Sequence, residues 1–301
     1  AYDRLGRLIA SQNAKQVTAN NGQTFSYTEY DELGRIVEAG EIVYTGQVYT
    51  YSISDDGRLR VSTLSAPVDG FNNEYTNKNE VTKTFYDEAV ILAGGQTSAN
   101  LFASGTYESY NARNRVTGIL YFDNYTTTTN ENMGFDNGIF YNYDIHGNVK
   151  ELVYQNNVLQ LGAFNQHVKK VQYEYDLMNG NVTKAYYQKD QPDQFIHKYT
   201  YDADSRVVAL HTSSDGVIWE KDAKYEYYKH GFPSRVEVGD RQVQGLDYVY
   251  TLQGWLKGVN SESTQIIDDF GRDGSVASPH GIVAHDAFGF SLGYFADDYK
   301  P

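Results

Sequence analysis

Residues 199–207 read Tyr-Thr-Tyr-Asp-Ala-Asp-Ser-Arg-Val, and variants of this stretch recur along the chain. The shared form is Tyr-Asp, two further residues, a Gly or another small residue, then Arg or Asn and an aliphatic residue. Clear copies begin at Tyr2, Tyr30 and Tyr141. A motif that returns every 20 to 35 residues, roughly, is typical of a repeat architecture. The sequence therefore predicts a protein that acts as a surface or a wall, and not as the housing of one catalytic pocket.

Each copy predicts a β-hairpin. Tyr199 and Tyr201 are two residues apart, so they share one face of a strand. The Asp-x-x-Gly segment predicts the turn, because Asp can bond the backbone ahead of it and Gly accepts a positive φ. Arg35 is expected to face Asp31 across such a turn, which contributes about 0–1 kcal/mol if the pair is exposed. The turn position of successive copies is held by Gly6, Gly34, Gly57, Asn114, Gly147, Asn179 or Gly180, Ser205, Gly231 and Gly254.

Composition supports strands and excludes several functions. The 301 residues include 28 Tyr and 27 Gly but only 5 Pro, and Tyr, Thr and Val favour strands. The formal net charge of −14 repels phosphate backbones, so no nucleic-acid partner is expected. The chain has no Cys, which excludes disulfides and thiolate chemistry. No apolar run approaches the roughly 18 residues of a membrane helix, so membrane insertion is not expected either.

The predicted organisation is a repeat array over residues 1–260, followed by an irregular end of the array over residues 261–301. A degenerate copy lies at residues 85–87, between the turns at Gly57 and Asn114. Polar inserts at residues 69–80 and 123–138, and a small-residue segment at 93–105, are predicted to be loops at the rim of the sheet. No segment has sustained helical periodicity with caps. Because the chain begins inside a motif, further repeats are expected upstream.

The motif residues are predicted to stabilise the fold and to have no catalytic role. These structural repeat positions are Tyr2, Asp3, Gly6, Arg7, Tyr30, Asp31, Gly34, Arg35, Tyr143, Asp144, Gly147, Tyr175, Asp176, Tyr201, Asp202, Arg206, Tyr250, Gly254 and Trp255. Rows of tyrosines could stack against sugars, but their regular spacing favours a shared packing face of the sheet. Their hydroxyl groups then need partners, which adjacent repeats can supply as a ladder.

The acidic pairs are interpreted as turn caps and solvated groups. Asp55-Asp56 and Asp268-Asp269 are neighbours, and neighbours on a strand point to opposite faces. Asp269-Phe270-Gly271 spells a kinase tripeptide, but no other kinase motif accompanies it.

Metal sites are weakly indicated as well. Asp269 with Asp273-Gly274 matches half of a calcium loop, without the third-position ligand or the final Glu. His280 and His285 are expected in solvent. The sequence therefore predicts no enzyme, no metal and no cofactor.

The repeated Tyr-Asp-x-x-Gly-Arg motif resembles the YD repeat of RHS (rearrangement hot spot) proteins over residues 1–260. Relatives in that family include insecticidal toxin-complex subunits and teneurins. The end of the chain, residues 250–260, 288–295 and 298–301, resembles the late repeats of RHS proteins from Bacteroidota. RHS cores often end in an Asp-Pro-x-Gly-Leu motif tied to self-cleavage. Residues 286–290 lack the Pro, so self-cleavage is not expected to follow from the resemblance.

The resemblance implies an all-β fold, in which stacked hairpins form a curled sheet or β-solenoid as part of a hollow shell. It implies a non-enzymatic bacterial protein that is secreted or displayed at the cell surface and encloses a C-terminal toxin or effector domain. Its partners would be the rest of its own polypeptide and that effector, with an export machinery or a surface ligand as further candidates. The alternative is a surface module for adhesion or for binding a glycan or protein.

Overall fold

The structure is a computed structural model that describes residues 2–19, 23–44, 51–53, 59–61, 75–102, 107–125, 134–158, 167–261, 265 and 268–295. The described chain is built almost wholly of antiparallel β-strands, as the all-β prediction requires. It divides into two compact units, residues 1–170 and 171–301. No helix in the described residues is long and apolar enough to cross a membrane.

The first unit is a stack of hairpins. Its strands are β1 (Ala10–Ser11), β2 (Thr24–Tyr30), β3 (Ile36–Tyr44), β4 (Tyr51–Ile53), β5 (Leu59–Val61), β6 (Tyr75–Tyr86), β7 (Val116–Tyr125), β8 (Asn137–Tyr143) and β9 (Val149–Asn156). Neighbours pair in the order β1-β2-β3-β6-β7-β8-β9, while β4 and β5 pair with each other. Each hairpin is marginal alone, and stacking supplies the buried area that one hairpin lacks.

The second unit continues the same plan. Its strands are β10 (Val168–Tyr175), which begins at the end of the first unit, β11 (Val182–Tyr187), β12 (Phe195–Tyr201), β13 (Val207–Ser213), β14 (Glu220–Tyr227), β15 (Pro233–Val238), β16 (Gln244–Tyr250), β17 (Leu256–Val259) and β18 (Phe290–Ser291). They pair in chain order, each antiparallel to the next. From β10 to β17 the strands have four to eight residues and the connections are short, whereas about 30 residues separate β17 from the two-residue β18.

The predicted turns are confirmed. Gly34, Gly147 and Ser205 occupy their turns with φ of +82°, +86° and +61°. Positive φ also occurs at Gly6, Asn114, Gly180, Gly231 and Gly254. Gly57 lies outside the described residues.

A β-bulge also falls at the motif Tyr, which the sequence reading did not anticipate. The strand register shifts immediately before Tyr30, Tyr86, Tyr143, Tyr175, Tyr201, Tyr227 and Tyr250. Bulges re-aim side chains and increase local twist, so each copy carries the same bend before its turn.

The predicted loops are partly wrong. Residues 75–80 belong to β6, residues 123–125 to β7 and residues 137–138 to β8. These positions pair with neighbouring strands, as Lys78 does with Tyr125 and Asn137 with Asn156, and this pairing extends the strands beyond the sequence prediction. Residues 69–74 and 126–133 lie outside the described residues. Within 93–105, two short 3-10 helices span Ala93–Gly95 and Ser98–Leu101, and a third spans Ser109–Ala112.

One helix was also missed. The five-residue helix α1 (Ala14–Thr18) has a capping box, in which Asn13 accepts from the Gln16 backbone and the Gln16 side chain accepts from Asn13. Five residues are too few to display helical periodicity, which explains the miss.

The core of the first unit lies on the face opposite the motif tyrosines. Phe140 and Asn142 point into the buried face and alternate with Tyr141 and Tyr143, which are half-buried on the other face. The core residues are Val81, Val90, Phe102, Leu120, Phe122, Tyr125, Phe135, Phe140 and Val153. The tyrosine rows thus pack along one another, with the Tyr141 and Tyr143 ring centroids 6.4 Å apart, but they do not form this core.

Candidate functional site

Each motif Asp closes its own turn. Oδ1 of Asp31 accepts from the backbone of Leu33 and Arg35 at 3.0 and 2.8 Å, and Oδ2 accepts from Nε of Arg35 at 2.7 Å. This confirms the predicted facing of Arg35 and Asp31. Asp202 makes the same contacts with Arg206, and the Arg206 backbone N–H lowers the pKa of Asp202 below its ordinary value. The carboxylate therefore fixes the turn and aims the Arg.

The Arg of one copy stacks on the Tyr of the next copy, which joins successive repeats. The guanidinium carbon of Arg35 lies 4.2 Å from the ring centroid of Tyr86, and that of Arg206 lies 4.7 Å from the ring of Tyr227. The same contact joins Arg7 to Tyr30 and Arg115 to Tyr143. Such cation–π contacts contribute about 0.5–1 kcal/mol at exposed sites.

The same tyrosines also donate hydrogen bonds backward along the stack. Each hydroxyl donates to the carbonyl of the aliphatic residue that follows the motif Arg or Asn of the previous copy. The donor and acceptor residues are Tyr30 to Leu8, Tyr86 to Ile36, Tyr143 to Val116, Tyr201 to Val182 and Tyr227 to Val207, at 2.6 to 3.0 Å. We call these Arg–Tyr contacts and Tyr–carbonyl bonds the repeat ladder. It supplies the hydroxyl partners that the sequence reading expected from adjacent repeats.

Residues 85–87 and Asn114 prove to be two halves of one copy, which corrects the predicted separate, degenerate repeat. The Asp87 backbone donates to the Arg115 carbonyl, as the Asp31 backbone donates to Arg35, and Asp87 accepts from the Asn114 backbone. Residues 88–113 are therefore an insert within a motif turn. Val90 and Phe102 of this insert pack into the core of the first unit.

The ladder also continues past residue 260. Trp255 holds the position of the motif Arg, and its ring centroid lies 5.2 Å from that of Tyr294. The Tyr294 hydroxyl donates to the Leu256 carbonyl at 2.8 Å. Residues 261–289 thus form a second insert, between β17 and β18, which resume the hairpin pairing.

The remaining predicted repeat positions lie in the same turns. Asp144 accepts from the Asn148 backbone and side chain, where Asn replaces Arg. Asp176 accepts from the backbone of Met178 and Asn179. Tyr250 stacks on Phe232 at 5.0 Å, and Tyr2 bridges to Leu8. Asp3 and Arg7 pair at 2.6 Å, and Gly6 and Gly254 occupy the turns.

The second insert covers a charged face, and three carboxylates converge beneath it. Asp247 comes from β16, while Asp269 and Asp286 come from the insert. One oxygen of each lies within 4.8 Å of the others, and all three residues are buried. We call Asp247, Asp269 and Asp286, with neighbouring Asp273, the acidic centre.

Arg235 of β15 is the cation that contacts the acidic centre. It is the cross-strand partner of Asp247 and is itself buried. Its two terminal nitrogens lie 2.5 Å from Asp247 and 2.5 Å from Asp273. Gly271 passes directly over this pair, since a Cβ there would lie 2.2 Å from both Arg235 and Asp247. The insert therefore requires Gly at this position in order to close over the ion pair.

Backbone and amide groups orient the carboxylates. Asp269 accepts from the backbone of Gly271 and Asp273 at 3.0 and 2.8 Å. The Asn260 side chain donates to Asp286 at 3.0 Å and accepts from the Asp247 backbone at 2.8 Å. One oxygen of Asp286 and one of Asp273 are buried and have no hydrogen-bond partner among the described residues.

Burial dominates the electrostatics of the acidic centre. Burial, together with the charges of Asp269 and Asp273, raises the pKa of Asp286 to about 7. Burial also raises the pKa of Asp247 and of Asp273, although Arg235 opposes the rise. Such a group of carboxylates can hold a shared proton or bind a cation that prefers oxygen ligands.

The prediction that Asp269 and His280 are exposed to solvent is wrong. Asp268 is exposed but Asp269 is buried, and His280 is half-buried with Nδ1 3.0 Å from a carboxylate oxygen of Glu237. Turn capping by Asp269 is as expected. Arg235 and Asp247 were missed, because charged residues that alternate with Val and Leu on a strand usually face solvent. Nothing in that local pattern indicates that a later insert covers them.

A pocket of about 370 Å³ opens beside the acidic centre. Asp247 and Arg235 line its inner wall, and Phe270, Gly271 and His280 of the second insert line the rest, together with residues of β14 and β15. Solvent therefore reaches the Asp247 side of the centre without unfolding of the insert.

No family model matches the sequence, and no curated protein matches it. Solved structures are loosely similar. A chain in the crystal structure of TcdB2-TccC3-Cdc42 is 14% identical with a TM-score of 0.38, over 88% of this chain and 12% of that one. A chain of the Tc holotoxin pore from Photorhabdus luminescens is 15% identical with a TM-score of 0.37, over 88% and 12%. A porin-like protein from Bacteroides uniformis is 7% identical with a TM-score of 0.32, over 79% and 82%. The chain thus spans 12% of the length of the toxin-complex chains.

Proposed function

We propose that this chain is a non-enzymatic wall segment of an RHS-type bacterial protein, secreted or displayed at the cell surface. In this proposal, successive hairpins build a shell that encloses an effector domain of the same polypeptide. The repeat ladder is the observation that carries the proposal. In the ladder, the motif Arg and Tyr residues contact the neighbouring copy. The role of the motif is therefore to hold successive hairpins together in one sheet.

The ladder suits a wall because its contacts are small and numerous. A cation–π contact contributes about 0.5–1 kcal/mol and a hydrogen bond about 0.5–1.5 kcal/mol. Repeated between neighbours, such terms sum along the array, as in other repeat proteins.

Electron microscopy of the protein expressed from its complete gene tests this proposal. A closed hollow particle with internal density is the expected result. An open sheet or filament without enclosed density would overturn the wall proposal and favour the alternative, adhesion to a surface glycan or protein. A glycan array on the same sample would then identify that ligand class.

A further inference from the structure

The acidic centre has the composition of a cation site. Its three converging carboxylates come from three separate segments: β16, the start of the second insert and the end of that insert. Carboxylate oxygens are the ligands that Ca²⁺ and Mg²⁺ prefer. Asp269 and Asp286 differ from ordinary turn residues because both are more than nine-tenths buried.

The negative charge of the centre exceeds the positive charge that contacts it. The centre has four carboxylates, those of Asp247, Asp269, Asp273 and Asp286, and the guanidinium of Arg235 pairs with two of them. Lys224 and His280 lie against Glu237 instead, and Arg272 lines the pocket but is exposed to solvent. A buried charge is costly unless a counter-charge or a ligand compensates it. The centre therefore calls for a further positive charge.

One oxygen is also left free for such a charge. Asp286 is 7% exposed, and one of its carboxylate oxygens is buried without a hydrogen-bond partner in the described residues. Its other oxygen is held by Asn260, which points the carboxylate at Asp269 and Asp247. A carboxylate oxygen that is buried, held in one orientation and without a hydrogen-bond partner is well placed to coordinate a metal ion.

We propose that Asp247, Asp269 and Asp286 bind one Ca²⁺ ion, which enters through the pocket beside Asp247. Ca²⁺ takes roughly six to eight oxygen ligands in flexible geometry, whereas Mg²⁺ demands a near-ideal octahedron, so a site assembled from three separate segments suits Ca²⁺ better. The remaining ligands would be water from the pocket. Because its ligands come from three segments, the ion fastens the second insert to β16. This site is independent of the proposed wall function.

Calcium titration of the EGTA-treated protein tests the site directly. Isothermal titration calorimetry is expected to give a stoichiometry near one ion per chain. The thermal midpoint followed by Trp fluorescence is expected to rise with the logarithm of free Ca²⁺, since a ligand that binds only the folded state stabilises it by mass action. Both Trp residues, Trp219 and Trp255, belong to the second unit, so this signal reports on it.

Asp269→Asn and Asp268→Asn form a matched pair of variants. Both remove one carboxylate, but Asp268 is exposed and Asp269 is buried in the centre. Asn can accept one of the two backbone hydrogen bonds that Asp269 makes, but its NH2 group cannot accept the other, so circular dichroism must first show that the variant keeps its fold. Asp269→Asn is expected to weaken calcium binding at least about tenfold. Asp268→Asn is expected to bind like the unmodified protein.

Three results would overturn the proposal. They are no calcium binding up to millimolar concentration, equal binding by the two variants, and a response to Mg²⁺ without one to Ca²⁺. If Asp269→Asn does not fold, Asp286→Asn replaces it. The titration of the unmodified protein is decisive in either case.

Discussion

The two inserts of this chain cover similar sheets by opposite chemistry. Residues 88–113 interrupt a motif turn and place Val90 and Phe102 on an apolar face. Residues 261–289 lie between β17 and β18 and place Asp269 and Asp273 on a face that carries Arg235. In both units the covered face is the one opposite the motif tyrosines. The hairpin stack is therefore shared, while the insert decides what holds each cover in place.

The difference determines how each cover responds to solution conditions. Burying an apolar side chain contributes about 1.5–3 kcal/mol, whatever the pH. A buried ion pair offsets a large desolvation cost, so its net contribution depends on the protonation and occupancy of the site. We therefore expect the stability of the first insert to be constant across pH, and that of the second insert to change with pH and with cation concentration.

The largest expected effect is at the apolar cover. Phe140 is 0% exposed beneath it, and Phe140→Ala should lower the free energy of unfolding by about 3–5 kcal/mol through lost burial and a cavity. Chemical denaturation followed by circular dichroism measures this. Val158→Ala, at a residue 67% exposed, is the control and should change the free energy by less than about 0.5 kcal/mol. A loss below 1 kcal/mol for Phe140→Ala, roughly, would show that this face is not the core.

The turn next to the first insert gives the second effect. Gly147 has φ +86°, and a Cβ there would lie 2.0 Å from the Arg115 side chain, whereas at Gly180 (φ +73°) a Cβ would meet nothing within 4 Å. Gly147→Val should cost about 2–3 kcal/mol, and Gly180→Val about 1–2 kcal/mol, because only the backbone term remains. Thermal unfolding compares them. Equal losses of unfolding free energy would show that the Arg115 side chain moves away from the new Cβ without a free-energy penalty.

The ionic cover should respond to pH. The pKa of Asp286 is raised from 3.8 to about 7, so the folded state holds this proton more tightly than the unfolded state does. The resulting stability is fully present below pH 4 or so and is lost as the pH rises through about 7. In EGTA, Trp fluorescence should report a loss of up to a few kcal/mol, roughly, across this window. Asp286→Asn should flatten the profile; an unchanged profile would assign the pH dependence to another group.

The smallest effect concerns the repeat ladder, which both units share. Arg206 and Tyr227 are in contact at 4.7 Å, and a double-mutant cycle with Arg206→Ala and Tyr227→Leu, which removes the ring, should give a coupling of about 0.5–1 kcal/mol. At Tyr201 the preceding copy has Asn181 instead of Arg. Tyr201→Leu paired with Asn181→Ala should therefore show a smaller coupling. Equal coupling energies in the two cycles would show that the guanidinium group does not contribute to the contact between repeats.

Local chemistry explains what the sequence predicts well. The alternation of Tyr199 and Tyr201, the Asp202 turn and the positive φ at Ser205 depend on a few neighbouring residues, so one copy of the motif suffices to predict them. The sequence also predicts that the Tyr hydroxyl groups bond to adjacent repeats, because a hydroxyl group repeated at a fixed spacing requires a repeated acceptor. The division of the chain at residue 260 stays a prediction, although the contacts of Tyr294 extend the ladder beyond it.

Long-range packing explains what the sequence does not predict. Asp87 and Arg115 belong to one turn although residues 88–114 intervene, and the hydrogen bonds of Asp87 with Arg115 and Asn114 reveal the insert. Similarly, Asp269 and His280 have the local sequence of a solvated loop. Their burial depends on Arg235 and Glu237, charged residues on strands that themselves look exposed. Neither segment indicates the other, so the acidic centre emerges only from the fold.

Hydrogen exchange of the EGTA-treated protein at pH 5 and pH 8, read by mass spectrometry, tests the contrast between the covers most directly. After correction for the intrinsic effect of pH, protection of residues 268–290 should fall at pH 8, while protection of residues 88–102 should not change. Equal changes in the two segments, or none in either, would contradict the claim that one insert is held by apolar burial and the other by charge.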